Sequence, residues 1–372
     1  MVESYVSGYL PNKYKKQHQA MLYLYDILVD ILEKADKFNL ANLSIIFTDK
    51  GLEDFDILDK LSEQRDVDLS EKILLPHIYF SILKDLNYYL YESLSCNERG
   101  KVTVAFTLAR KPLQDNLFYL SWILVDSKDF LEKILYSEPK DYDVSNLKGK
   151  KDYMTNLFFD AKKILEAKDD ILNFSSAMIN QDLLYDVIYN RKAKNSLTRV
   201  FDQSIHLVTN NRNYRTERQN LNFVFSNDKI WDDFWNLYNE KMPYIIYYLV
   251  EVAVGIFENI LKIDLDISEY NRYIRNLKFL MAVDRSGETK ELENIFELLF
   301  EDEYINMRCD KCGEKYEFND DLVKEIKDDF LFSCEKCGHV ERLGQYFIDD
   351  KVLKIRREII IDNSDDDNWK LG

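Results

Sequence analysis

Apolar residues recur every three or four positions along most of this chain, which is the spacing of helices that are buried on one side. The first such stretch covers residues 13–34, and two more cover 71–94 and 101–125, the latter with a bend expected at Pro112. Later stretches of the same kind cover residues 127–136, 152–167, 180–190, 195–209, 228–262, 266–283 and 289–299. The pattern predicts a mainly α protein whose body is a multi-helix bundle.

Glycine is scarce in this helical part of the chain. The chain has 10 glycines in 372 residues, and none lies between Gly149 and Gly255. Such a long stretch without glycine favours helices joined by polar connections over strands joined by glycine turns. Within the body, residues 44–48 read as a short strand.

The pattern changes near residue 300, where four cysteines form two pairs. Cys309 and Cys312 make the first pair, Cys334 and Cys337 make the second, and a glycine follows each pair directly. Two thiolates at this spacing bind a single metal ion, and the glycine allows the backbone to turn beneath it. Four cysteines complete a tetrahedral coordination sphere, so we expect a structural metal with no open position for a substrate.

The two cysteine pairs resemble the knuckles of zinc ribbons and rubredoxin-like domains. In the segment between them, aromatic residues such as Tyr316 and Phe332 would cover the metal. The resemblance implies a small C-terminal β zinc ribbon over residues 301–346, with Zn²⁺ as the cofactor and iron as the less common alternative. Residues 347–372 are then expected to form a strand-like segment, at 351–361, and an acidic tail at 362–367. Residues 1–300 are left as the helical body.

The formal net charge of −17 argues against binding of nucleic acid through the overall field of the protein, but it leaves room for a local basic surface. The most apolar segment, residues 243–257, contains Glu251 and is shorter than the roughly 20 residues of a membrane span. We therefore expect a core helix and no membrane association. Because the first residues show no secretory signal and the cysteines form metal-type pairs, we expect a cytoplasmic protein.

One window runs against the acidic trend. Residues 191–218 carry seven basic side chains against two acidic ones, a local balance of +5. The candidate nucleic-acid-binding residues in this window are Arg191, Lys192, Lys194, Arg212, Arg215 and Arg218. Their side chains can neutralise phosphates, which is the term that dominates affinity for nucleic acids.

The same window contains an amphipathic helix pattern with Arg199, Asp202 and His206 on its polar side. The apolar side holds Leu197, Val200, Phe201, Ser204, Ile205 and Val208. Arg199 and His206 fall within roughly 20° of each other, because seven residues make almost two helical turns. The polar face thus gathers a guanidinium that can bind phosphate, an imidazole that can transfer protons near neutral pH, and a carboxylate.

This arrangement resembles the HEPN superfamily, all-α domains in which an Arg-x4–6-His motif often forms a metal-independent ribonuclease site. The resemblance implies a HEPN-like part over about residues 71–283, with Arg199 and His206 as catalytic residues and Asp202 as an orienting group for the imidazole. It also implies an RNA substrate, a homodimer whose two protomers build the site, and a role of the toxin or phage-defence type.

The residues themselves leave other interpretations open. The polar face can be a solvated helix surface beside a basic loop, or a phosphate-binding surface without catalysis. The alternative function is a non-enzymatic, zinc-binding interaction or regulatory protein that contacts a protein partner through its acidic helical surface. Arg110, inside an apolar helix, is expected to be paired internally rather than to face a cleft.

Overall fold

The computed structural model describes residues 10–41, 44–47, 65–166, 181–193, 196–225, 229–283, 309, 311–316, 331–342, 346, 348, 353, 358–362 and 370–371. These residues are mostly helical. The helices are α1 (Asn12–Lys37), α2 (Val67–Glu98), α3 (Val102–Lys111), α4 (Leu117–Val125), α5 (Ser127–Tyr136), α6 (Pro139–Tyr142), α7 (Val144–Leu147), α8 (Lys151–Glu166), α9 (Gln181–Ile188), α10 (Leu197–Ile205), α11 (Lys229–Leu261) and α12 (Leu265–Val283).

The described residues also form short strands, which are β1 (Ser44–Phe47), β2 (Leu331–Ser333), β3 (Val340–Arg342), β4 (Glu358–Asp362) and β5 (Lys370–Leu371). β1 pairs in parallel with β4, and β4 pairs antiparallel with β5. β2 and β3 pair antiparallel, with Ser333 opposite Val340. The strand predicted at residues 44–48 therefore shares a sheet with the last residues of the segment predicted at 351–361.

One side-chain cap and one glycine set the limits of α2. Asp66 accepts a hydrogen bond from the Leu69 N–H, 3.0 Å away, at the start of α2. At the end of α2, Gly100 has a φ of +70°. The Lys101 N–H then donates to the Cys96 carbonyl, 2.8 Å away, which closes the turn. This turn lets α3 pack against α2, its main neighbour.

Pro112 interrupts the long apolar stretch predicted at residues 101–125. α3 ends at Lys111, residues Pro112–Asn116 form a π-helical turn, and α4 begins at Leu117. Proline has no N–H to donate, and the Leu117 N–H donates to the Pro112 carbonyl five residues before it. The predicted bend is thus a π-helical turn, and it buries the polar side chain of Gln114.

α11 lies at the centre of the helical body, where it contacts α1, α2, α3, α4, α8 and α12. Gly255 permits a close approach to α8, because a Cβ atom at this position would lie 3.0 Å from the Leu165 side chain. Among the described residues, α11 is a helix long and apolar enough to cross a membrane, and 78% of its most apolar 18-residue window is buried inside the protein.

Glu251, the acidic residue in the apolar segment of α11, is buried in an ion pair with α12. The Arg275 guanidinium donates to both Glu251 carboxylate oxygens, at 2.7 and 2.9 Å. Arg272 donates to the Leu165 carbonyl, 2.8 Å away. Because both oxygens of the Glu251 carboxylate are paired with a guanidinium, the core tolerates an acidic residue within this helix.

The chain that follows the cysteine pairs packs against the helical body. Tyr346, Ile348 and Leu353 belong to the same hydrophobic core as the helices. The Tyr346 N–H donates to Asp30 in α1 at 2.8 Å, and its hydroxyl donates to Glu258 in α11 at 3.0 Å.

Most of the predicted helices are confirmed within a few residues of their predicted limits. The helix predicted at residues 195–209 ends earlier, at Ile205, and the sequence pattern does not predict the four-residue helices α6 and α7. The helix predicted at 289–299 and residues 363–367 of the predicted tail lie outside the described residues. Asp362, the first residue of that tail, belongs to β4. The limits of body, ribbon and tail stay predictions.

Candidate functional site

The sulfur atoms of the four paired cysteines form a cluster. They lie within 4.8 Å of one another, and the Cys309–Cys337 and Cys312–Cys334 sulfurs are 3.6 Å apart. Four thiolates bound at about 2.3 Å to one tetrahedral ion would be separated by about 3.8 Å. The donor set and its spacing therefore fit one metal ion.

The backbone of each cysteine pair forms the same turn. The glycine N–H donates to the carbonyl of the first cysteine at 2.8 Å, and the N–H of that cysteine donates to the carbonyl five residues later, also at 2.8 Å. Gly313 and Gly338 have φ values of +73° and +64°, in the region that favours glycine. The role expected for these two glycines is confirmed.

The surroundings of Cys334 favour its ionised form. Burial alone raises the pKa of this thiol, but hydrogen bonds from the backbone N–H groups of Cys337 and Lys336, with those of the neighbouring thiols, lower its pKa to about 7. A thiolate is the form that binds a metal. The local backbone thus favours the metal-binding form of Cys334.

A cleft of about 450 Å³ opens where the end of α3, the start of α8, and the connection between α9 and α10 come together. We call it the basic cleft. Among the residues that the structure describes, its charged lining consists of Arg110, Lys148, Lys151, Arg191, Lys192 and Asp202. Five cations thus face one carboxylate, in a chain whose net charge is −17.

Hydrogen bonds of Gln114 hold the walls of the basic cleft together. Its side-chain nitrogen donates to the Ile188 carbonyl at 3.0 Å and to the Thr198 hydroxyl at 3.3 Å. The Tyr189 hydroxyl donates to the backbone carbonyl of Gln114 at 2.8 Å. The π-helical turn therefore places one side chain where it joins α9, α10 and the segment between α3 and α4.

The charges of the basic cleft are not balanced within it. The pKa of Lys148 is lowered, first by its partial burial and then by the nearby cations Arg110 and Arg191, and the carboxylates of Asp115 and Asp202 only partly offset this. A lysine under this electrostatic stress gains from a bound anion. The cleft therefore has the charge expected of an anion-binding site.

Arg110 differs from its sequence-based expectation of internal pairing. Its Nε atom donates to the neutral side chain of Gln114 at 3.3 Å, and the residue lines the basic cleft. Its positive charge therefore contributes to the field inside the cleft.

Arg199 and His206 lie outside the basic cleft. Arg199 is exposed on α10, and its Nε atom donates to Gln203 at 3.4 Å. His206 is exposed one residue beyond the end of α10, with extended backbone angles φ −110° and ψ 127°. The helical geometry that predicts a shared face therefore does not reach His206. Asp202 lines the basic cleft, where it accepts a hydrogen bond from the Tyr214 hydroxyl at 2.5 Å.

The chain after α10 forms a loop that folds back on itself, which we call loop 207–225. The Thr216 N–H donates to the Thr209 carbonyl at 2.9 Å, and the Thr209 N–H donates to the Thr216 hydroxyl at 2.7 Å. Asn222 donates through its N–H to the Leu207 carbonyl at 2.8 Å. These bonds satisfy backbone groups that a longer α10 would have used, so the helix ends early.

Loop 207–225 exposes both cations and aromatic rings. Its three arginines, Arg212, Arg215 and Arg218, are exposed. Phe223 and Phe225 are 51% and 63% exposed, and their ring centroids are 5.7 Å apart. Among the other predicted nucleic-acid-binding residues, Arg191 and Lys192 line the basic cleft and Lys194 lies outside the described residues.

The sequence pattern does not indicate that Arg110, Lys148 and Lys151 belong to one site. They lie on separate elements up to forty-one positions apart, and only the fold brings them together. One local signal is present, the run Lys148-Gly-Lys-Lys151, which leads into the first residue of α8. Basic residues beside a glycine at a helix start are typical of anion-binding turns.

No protein-family model, curated protein or solved structure matches this chain. The resemblance to the HEPN superfamily therefore gains no support from known families, while the four-cysteine cluster fits a metal-binding module by its own geometry.

Proposed function

We propose that this protein binds single-stranded RNA through a continuous basic surface made of the basic cleft and loop 207–225. The observation that supports this proposal is the connection between the two parts, in which Tyr214 of the loop donates a hydrogen bond to Asp202 of the cleft. Cations on both parts can neutralise phosphates of one bound strand.

The exposed aromatic pair favours a single strand over a duplex. Bases of single-stranded RNA are free to stack on aromatic side chains, whereas paired bases are covered within the helix. Phe223 and Phe225 present their rings to solvent within a loop that also carries exposed arginines. This combination of stacking surface and positive charge is typical of single-strand binding.

The test is the triple substitution Arg212→Gln, Arg215→Gln and Arg218→Gln, with binding of a labelled single-stranded RNA measured by fluorescence anisotropy at several salt concentrations. Loss of three phosphate contacts is expected to reduce the slope of log K against log salt by about 2, at roughly 0.7 for each contact. Phe223→Ala with Phe225→Ala is expected to cost about 1–3 kcal/mol for each base that stacks.

The matched control is Lys16→Gln, Lys101→Gln and Lys133→Gln, which removes three exposed cations from other parts of the helical body. Equal losses in the two triple variants would show that the overall charge, and not this loop, controls binding. No RNA binding by the unaltered protein would favour the alternative function, a non-enzymatic protein that contacts a protein partner through its acidic surface. The expected homodimer and cytoplasmic location stay predictions.

For the cysteine cluster we propose zinc as the metal and a small β ribbon as the fold around it. The tetrahedral spacing of four sulfur donors supports a closed structural site. Zinc held there would stabilise the two glycine turns and supply no chemistry to RNA, because four thiolates leave no open coordination position.

A further inference from the structure

We propose that the basic cleft binds the terminal phosphate of an RNA strand, a phosphomonoester, in preference to the phosphodiesters along the strand. This inference rests on the RNA binding proposed above, and it names the group that occupies one part of that surface.

The charge of the cleft suits a dianion better than a monoanion. Among the described residues, five cations and one carboxylate line the cleft. The cations remain in excess when the nearby carboxylate of Asp115 is also counted. A phosphomonoester carries a charge of about −1.5 to −2 at neutral pH, whereas a phosphodiester carries about −1. The terminal phosphate therefore gains more from this field than an internal one.

The shape of the cleft favours the end of a strand. Gln114, Tyr189 and Thr198 line the cleft and are buried, so they form a floor where the cleft stops. Its volume of about 450 Å³ lies within the roughly 300–1,000 Å³ typical of sites for small molecules. One nucleotide can enter such a cleft, and its terminal phosphate would meet this floor.

The cations approach this floor from several elements. Arg110 comes from the end of α3, Arg191 from the α9–α10 connection, and Lys148 from the turn before α8. α8 begins at Lys151, which also lines the cleft, so the positive end of this sixteen-residue helix adds to the field of the side chains. A phosphate with three free oxygens can accept hydrogen bonds from several of these donors together.

The cleft adjoins the rest of the proposed RNA surface through the Asp202 carboxylate. Asp202 is engaged by the Tyr214 hydroxyl, which fixes loop 207–225 at the cleft. A strand whose end occupies the cleft would continue onto the exposed arginines and phenylalanines of the loop. The cleft is thus expected to recognise the end, and the loop to bind the nucleotides next to it.

The test compares three short RNAs of one sequence, with a 5′-phosphate, with a 3′-phosphate, and with hydroxyl groups at both ends. Binding to the full chain is measured by fluorescence anisotropy with an internal label. We expect one of the phosphorylated RNAs to bind about tenfold or more tightly than the hydroxyl form. Arg110→Gln with Lys148→Gln is expected to remove this advantage, so that all three RNAs bind the double variant with nearly the same affinity.

Lys16→Gln with Lys133→Gln serves as the matched control, and circular dichroism verifies that each variant is folded. Equal affinity of all three RNAs for the unaltered protein would overturn the inference and leave the proposed RNA binding intact. If no RNA binds, the proposed function fails, and calorimetry with adenosine monophosphate then tests the cleft alone. If adenosine monophosphate binds the unaltered protein and this binding is lost in Arg110→Gln with Lys148→Gln, the cleft is a phosphate site for a free nucleotide. If adenosine monophosphate does not bind the unaltered protein, the phosphate site itself is overturned.

Discussion

At the scale of single residues, His18 shows how packing overrides local sequence. Lysines at positions 13, 15 and 16 indicate an exposed position, but the His18 side chain is completely buried. Its Nδ1 atom lies 3.4 Å from the Asn97 side-chain nitrogen, and its Nε2 atom lies 3.9 Å from the Glu98 carboxylate. Removal from water outweighs the attraction of Glu98 and lowers the pKa of His18 to about 4.

This burial predicts a pH-dependent stability. In the unfolded chain His18 binds a proton below about pH 6.5, whereas in the folded protein it stays neutral until about pH 4. Its contribution is therefore present above pH 6.5 and is lost as the pH falls towards 4, by up to about 3 kcal/mol. His18→Gln is expected to remove this part of the pH dependence, measured as urea unfolding between pH 7 and pH 4.

The control for this prediction is His77→Gln, which changes an exposed histidine of α2. It is expected to follow the unaltered protein at every pH. If the free energy of unfolding of His18→Gln fell between pH 7 and pH 4 as steeply as that of the control, burial of His18 would not explain the pH dependence.

A second residue-scale prediction concerns the ribonuclease hypothesis, which depends on Arg199 and His206. The imidazole of His206 is exposed, while the proposed binding cations lie on the cleft and the loop. The ribonuclease hypothesis predicts that His206→Ala reduces RNA cleavage by at least about a hundredfold, the usual weight of a general acid or base, and leaves RNA binding unchanged.

Cleavage is measured by gel electrophoresis of a labelled single-stranded RNA without added divalent metal, and His77→Ala provides the matched control. Cleavage that persists in His206→Ala at the rate of this control would exclude His206 as a catalytic residue.

At the scale of elements, hydrophobic periodicity predicts the long helices because each buries one side. α5, α8, α11 and α12 agree with their predicted limits to within one residue. The shorter features depend on information that periodicity does not contain. α6 and α7 have four residues each, which is about one turn and too short to repeat a pattern.

The end of α10 is also not predictable from hydrophobic periodicity, and its position changes the candidate site. A strong apolar pattern continues past Ile205 as far as Val208, but Thr209 finds hydrogen-bond partners in Thr216, within the loop that follows. Hydrogen bonds within this loop thus replace the last helical turn. As a result, His206 lies beyond the helix on which the sequence places it.

The basic cleft could not have been predicted as a unit, although the sequence indicates part of its charge. Arg191 and Lys192 are recognisable as basic residues in an acidic chain, but Arg110 and Lys148 reach the same cleft from distant elements. The π-helical turn at Pro112 brings Gln114 to their meeting point, and only the proline is visible in the sequence. The cysteine cluster is predictable because its ligands are encoded in two local turns.

At the scale of the whole molecule, the basic surface formed by the cleft and loop 207–225 stands apart from an otherwise acidic chain. The chain carries 67 acidic against 50 basic residues, yet cations dominate the cleft and loop 207–225. An acidic remainder repels nucleic acid, so binding should be confined to this surface and should weaken strongly with salt. The same separation argues against non-specific coating of RNA along the helices.

The cysteine cluster predicts a metal dependence that is local to the C-terminal part. The purified chain is expected to contain one zinc ion per molecule by elemental analysis, and Cys309→Ser with Cys334→Ser is expected to lose it. The helical signal in circular dichroism should change little, because the core of the body is built from helices that contain none of these cysteines. Hydrogen exchange should increase at residues 309–316 and 331–342, where the glycine turns lose the ion that joins them.

Cys96→Ser provides the matched control for this last prediction, because Cys96 is buried in the helical body and lies outside the cluster. It should retain the full zinc content, which separates loss of a ligand from loss of a cysteine. Tyr346 anchors the chain that follows the cluster to Asp30 and Glu258, so we expect that attachment to survive metal removal. Visible absorption bands of iron–thiolate bonds would identify iron instead, and unfolding of α1 or α11 on metal loss would show that the cluster supports the whole protein.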